Sequence, residues 1–131
     1  MYIRLEALQG RLIPHFHGEV KCDGTRALIL SEVDGVPANK QPAPYLSPEV
    51  SRQRIEAGLK EPAAYGVSFD DTKLSNIMLV DNGIVFVDLE SVLEPKDEQE
   101  LEYMLMIYSL QFMDNYSDYM RHQERISAEA S

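Results

Sequence analysis

Two apolar runs, "NIMLV" (76–80) and "IVFV" (84–87), are separated only by Asp81-Asn82-Gly83. A polar break this short, with turn-forming residues at its centre, makes the chain double back as an antiparallel hairpin. A second hairpin is predicted in "RLIPHFHGEVKCDGTRALILSEVDG", where Asp23-Gly24 is a strong two-residue turn signal. On its far side "RALIL" (26–30) is short, apolar and bounded, which predicts a buried strand.

Helical signals surround these hairpins. Residues 2–9 carry the end of a helix, closed by Gly10. Ser47-Pro48 supplies a cap residue and a proline at the first helical position, and Ile55 and Leu59 then share a face. Pro62 ends or kinks that helix. Leu101, Leu105, Tyr108 and Phe112 recur at helical spacing, so 97–113 is predicted as a helix. Between the first hairpin and the first full helix, 35–48 holds four prolines and reads as a linker or an extended crossing segment. Hairpins flanked by helices, two of the former and about three of the latter, give an α+β fold class. The expected boundaries are one domain over 1–120 and a polar, fraying tail over 121–131. A helix-like start with no lead-in fits a chain that is part of something larger.

Charge narrows the function classes. The chain has 131 residues with 12 basic and 22 acidic side chains, a net charge of −10. A nucleic-acid binder needs a basic footprint, so no nucleic-acid partner is expected. No apolar run reaches membrane-spanning length, and the N-terminus lacks a signal pattern, so no membrane partner is expected either. Cys22 is the single cysteine, which excludes an internal disulfide and predicts an inert thiol. The default location is cytoplasmic. His15 and His17 alternate along a strand and could share a metal with a carboxylate, but the expected reading is half-buried residues flanking Phe16.

The polar residues that call for an explanation lie between Gly66 and Ser91, in "GVSFDDTKLSNIMLVDNGIVFVDLES". Asp71 lies in a loop after a helix, Asn76 enters a strand, and Asp88 leaves the partner strand. The hairpin brings Asn76 and Asp88 toward each other, with Asp71 nearby. Two carboxylates and an amide oxygen are hard ligands that suit Mg²⁺, and Lys73 adds a cation suited to a phosphate. Aspartate and asparagine also favour turns and strand ends for backbone reasons alone.

The order of these motifs resembles the protein-kinase-like superfamily, most closely its compact fungal members. "FDDTKLSN" resembles the H-R-D-L-K-x-x-N catalytic loop, and "VDLES" resembles the D-F-G segment. "IPHFHGEV" and "RALILSEVDG" resemble the fourth and fifth small-lobe strands, with Glu32 at the acidic hinge position. "SPEVSRQRIEAGLKEPAAYGV" resembles the helix that leads into the catalytic loop. The resemblance covers about residues 1–110. It implies that Asp71 orients an accepting hydroxyl as catalytic base and that Lys73 steadies the transferred phosphate. It implies that Asn76 and Asp88 hold Mg²⁺, and that backbone groups of Ser31, Glu32 and Val33 contact the adenine of ATP.

The resemblance also has departures. These residues include no G-x-G-x-x-G loop and no V-A-I-K lysine. Phe69 and Asp70 replace the histidine and arginine of H-R-D, Glu90 replaces the glycine of D-F-G, and no A-P-E segment follows. The expectation is therefore a truncated, degenerate, pseudokinase-type domain with residual Mg²⁺–ATP binding and little or no phosphotransfer. The alternatives are an active phosphotransferase acting on a protein or small-molecule hydroxyl, and an interaction module that ignores nucleotide. In the last case the Met- and aromatic-rich 101–112 helix would meet a protein partner or a second copy.

Overall fold

The structure, a computed structural model, describes residues 5–87 and 92–130, apart from the Cys22 side chain. The fold is mixed α+β. A hairpin comes first, with β1 over Phe16–Cys22 and β2 over Thr25–Leu30. Strand β3 (Val36–Pro37) and helix α1 (Pro48–Ala63) follow. Strand β4 (Ser68–Phe69) leads to a 3-10 turn at Leu74–Asn76, then to β5 (Ile77–Val80) and β6 (Gly83–Phe86). Strand β7 (Val92–Leu93) and helix α2 (Glu98–Ala130) close the described chain.

The central sheet is β3-β5-β6, antiparallel throughout. Ile77 faces Phe86, and Val80 faces Gly83 across the Asp81-Asn82 turn. Strand alternation sends Ile77, Leu79, Ile84 and Phe86 to one face, where all four are buried. That face packs on Ile55 and Leu59 of α1 and joins Val67, Phe69, Phe112 and Tyr116 in one core. Gly58 of α1 lets the helix approach closely, since a Cβ there would sit 2.7 Å from Ile84 Cδ1.

The helix ends follow from local chemistry. Ser47 Oγ accepts from the Val50 N–H at 3.2 Å, and Pro48 starts α1. Pro62 lies in the last turn, one residue before the helix ends at Ala63. Asp97 Oδ1 accepts from the Glu100 N–H at 2.8 Å at the start of α2. Glu98 and Glu100 also lie in that first turn, where the helix dipole favours anions.

Several expectations change. The helix end expected over 2–9 is, within the described residues, a single 3-10 turn at Glu6–Leu8. Gly10 at φ +80° does close it, and His15 packs so closely over that glycine that a Cβ would lie 2.1 Å from the His15 ring. Residues 2–4 lie outside the described set. The "RALIL" segment is a strand but is not buried. Leu28 is 49% exposed and Ile29 44%, and because successive residues of a strand point to opposite faces, neither face of the two-stranded β1-β2 sheet is fully covered there.

The expected tail is also different. Helix α2 runs unbroken through residues 121–130, so no change of structure marks a boundary at residue 120. Tyr45 donates to Gln123 Oε1 at 3.2 Å, which ties this stretch to the 35–48 segment. That segment is pinned rather than loose. Ala38 is buried, and Gln41 donates to Ala38 O and Tyr116 Oη and accepts from Leu46 N.

Candidate functional site

The 70–76 loop lies between β4 and β5 and is held from both sides. Phe69 is buried and packs edge-on against Phe86 with centroids 4.7 Å apart. On the other side Asn115 of α2 donates to the Thr72 carbonyl at 3.4 Å. Thr72 Oγ1 donates to Gln111 Oε1 at 3.5 Å, and Thr72 itself is buried.

This anchoring brings Asp71 and Asn76 together. Asn76 Nδ2 donates to Asp71 Oδ2 at 2.6 Å, and the Lys73 N–H donates to Asp71 Oδ1 at 3.2 Å. The 3-10 turn at Leu74–Asn76 shortens the five-residue path so that the two side chains meet. The Asn76 carbonyl accepts from the Val87 N–H at 3.1 Å, so the hairpin pairing continues one step past Ile77–Phe86. Asp88 and the rest of "DLES" lie outside the described residues. Lys73 is exposed beside Asp71.

Asp70 behaves differently from its neighbour. Its Oδ1 is buried without a hydrogen-bond partner, as is the Ser68 hydroxyl. Burial raises the Tyr108 pKa, and the Asp70 charge adds to that shift.

Ser31, Glu32 and Val33 line a cleft of about 290 Å³ with Asp34, His15, Arg11 and the β5-β6 valines Val80 and Val85. The valines belong to the hairpin face opposite the core. The Met78–Val85 pair is two strand positions from the Asn76–Val87 pair, roughly 7 Å at ~3.3 Å per residue. The cleft and the Asp71–Asn76 pair therefore use the same hairpin at neighbouring positions. The cleft walls are mainly apolar, and Glu32, Asp34 and Arg11 are the charged residues that line it.

Some participants had no signal in the sequence. Arg11 lines the cleft from a position that no motif marks, and His15, read from the sequence only as a strand residue or metal ligand, lines it too. Arg54 of α1 donates to Val80 O at 2.9 Å, Asp81 O at 3.1 Å and Gly83 O at 3.2 Å, which fixes the β5-β6 turn. A lone arginine on a helix gives no hint of such a reach.

The two histidines lie close, with ring centroids 6.2 Å apart, and His17 Nε2 is 2.6 Å from Ser31 Oγ. Among the described residues no three His, Cys, Asp or Glu side chains are grouped to hold a metal. Among the same residues no helix is long and apolar enough to cross a membrane. The chain matches no family model and no curated protein.

Proposed function

We propose that this chain is a degenerate protein-kinase-like domain that binds Mg²⁺–ATP and has little or no phosphotransfer activity of its own. The supporting observation is the Asp71–Asn76 hydrogen bond at 2.6 Å, set two strand positions from a cleft lined by Ser31, Glu32 and Val33. In this function the cleft takes the adenine, with Val80 and Val85 as its apolar floor. Asp71 orients the hydroxyl of any acceptor, and Lys73 faces the terminal phosphate.

The residue chemistry fits the metal. The Asn76 amide turns its nitrogen to Asp71, which leaves Oδ1 as a hard oxygen donor. Asn76 and Asp88 would hold Mg²⁺, which would neutralise phosphate charge when bound. Weak transfer follows from what surrounds the phosphates. These 131 residues supply neither the glycine-rich loop nor the lysine that clamps them in that superfamily. The carboxylates of Glu32 and Asp34, which line the cleft, add repulsion.

Thermal unfolding with ATP and MgCl₂ tests the proposal. Ligand at about 100 times its dissociation constant adds roughly 2.7 kcal/mol, a shift of several degrees. The shift should vanish with EDTA and in Asp88→Ala. No shift at millimolar ATP rejects nucleotide binding. Transfer of ³²P that Asp71→Ala abolishes would instead identify an active phosphotransferase.

Tyr103, Met106 and Leu110 favour a second function, a docking face for a protein. They are 61%, 52% and 56% exposed along one side of α2. Met106→Glu with Leu110→Glu should then abolish co-purification of the partner and leave the fold intact.

A further inference from the structure

The β1-β2 hairpin stands apart from the central sheet, and among the described residues no third strand pairs with either of its edges. A lone two-stranded hairpin is marginal in water, and an open edge presents unpaired N–H and C=O groups. Val20, Leu28 and Ile29 are exposed on it. The chain carries ten net negative charges, yet between residues 16 and 30 Lys21 and Arg26 balance Glu19 and Asp23. The hairpin is thus an electrically neutral, apolar element in an acidic molecule.

We propose that β2 pairs antiparallel with β2 of a second copy of this chain, about a two-fold axis at Ile29. The Ser31 N–H turns inward to His15 O at 2.9 Å. By strand alternation Arg26, Leu28 and Leu30 then direct their backbone groups to the open edge. With the axis at Ile29, Leu28 faces Leu30 of the second copy, and Arg26 faces its Glu32. Two-fold symmetry makes each contact twice.

Arg26 can serve both copies. It donates to Glu19 through Nε and, at 2.7 Å, through Nη2, which leaves Nη1 for Glu32 of the second copy. Neighbouring registers fail on charge. An axis at Leu28 sets Arg26 against Leu30 and Glu32 against Gly24. An axis at Leu30 sets Arg26 against Asp34 but leaves Glu32 opposite the apolar Leu28. The axis at Ile29 pairs Arg26 with Glu32 and Leu28 with Leu30, and between residues 25 and 33 it leaves no charged side chain opposite an apolar one. Glu32 also lines the cleft, so the pairing is tested in the absence of nucleotide.

Sedimentation velocity of the full chain is the test, over about 10 to 300 µM, the range suited to a small interface. Dimer should accumulate with concentration. Glu32→Arg should weaken it tenfold or more, since like charges then meet twice. The triple reversal Glu19→Arg, Arg26→Glu, Glu32→Arg restores the network with opposite sign and should restore the dimer. In a Cys22→Ser background, Ile29→Cys should form a disulfide between copies on mild oxidation. Ala27→Cys should not, because Ala27 faces Ser31 of the second copy. A monomer at every concentration overturns the proposal. So does a dimer that ignores Glu32→Arg, one that Met106→Glu abolishes in its place, or equal cross-linking at positions 27 and 29.

Discussion

Asn76 donates to Asp71 Oδ2 through its side chain and accepts from Val87 through its carbonyl, so one residue joins the 70–76 loop to the central hairpin. Asn76→Ala removes the side-chain bond and keeps the backbone one. It should cost about 1 kcal/mol in chemical denaturation. It should also abolish the magnesium-dependent part of any ATP-induced shift in Tm. A variant that keeps the full shift would remove Asn76 from the metal site.

Gly58 faces Ile84 and Phe86 of the core. A Cβ there lies 2.7 Å from Ile84 Cδ1 and 3.0 Å from its Cγ1. Alanine gains roughly 1 kcal/mol of helix propensity over glycine, but overpacking costs about 1–3 kcal/mol. Gly58→Ala should therefore destabilise by about 1 kcal/mol. Adding Ile84→Val removes the clashing methyl, so the double variant should lose less than the sum of the two single changes. Additive losses would show that the contact is slack.

Tyr116 is fully buried, yet its hydroxyl donates to Leu46 O at 2.5 Å and accepts from Gln41 Nε2 at 3.2 Å. It is the point where α2 holds the segment before α1. Tyr116→Phe keeps the ring and strands those partners, at a cost of about 1–2 kcal/mol. Proteolysis between residues 39 and 47 should quicken at the same time. Unchanged cleavage would mean that Tyr119 and Gln123 hold the segment without it.

Alkaline pH should loosen the same helix. Burial, ahead of every other cause, raises the pKa of Tyr108 and of Tyr119 above the usual tyrosine value. A raised folded-state pKa favours the protonated form in the fold. The stability it contributes is complete below the unfolded tyrosine value of about 10 and is lost as pH rises through the folded value. Phenolate absorbance and helical ellipticity followed together above pH 10 should fall into one coupled transition. Full phenolate absorbance with native ellipticity would show that both hydroxyls ionise without strain.

Much of the fold could be read locally. Asp23-Gly24 and Asp81-Asn82 are the turns of both hairpins, Ser47-Pro48 caps α1, and Leu105, Tyr108 and Phe112 lie on the inner side of α2. Each of these is decided by residues a few positions apart, within reach of a single hydrogen bond or one helical turn. The Asp71–Asn76 proximity was legible for the same reason, since five residues and a strand entry separate them.

Other features depended on distant chain. "RALIL" has the composition of a buried strand, yet neither face of the two-stranded β1-β2 sheet is fully covered at Leu28 and Ile29, and both are exposed. The cleft draws Arg11 and His15 from one segment and Val80 and Val85 from another. The polar stretch after residue 120 remains helical as a continuation of α2, with Tyr45 bonded to Gln123. By itself the sequence determined where the chain turns and which face of each element is apolar, because those follow from backbone conformation and short-range bonding. Tertiary structure alone decided which apolar faces are covered and which remote side chains share a cleft. Burial and convergence are properties of surfaces that meet only when the whole chain has packed.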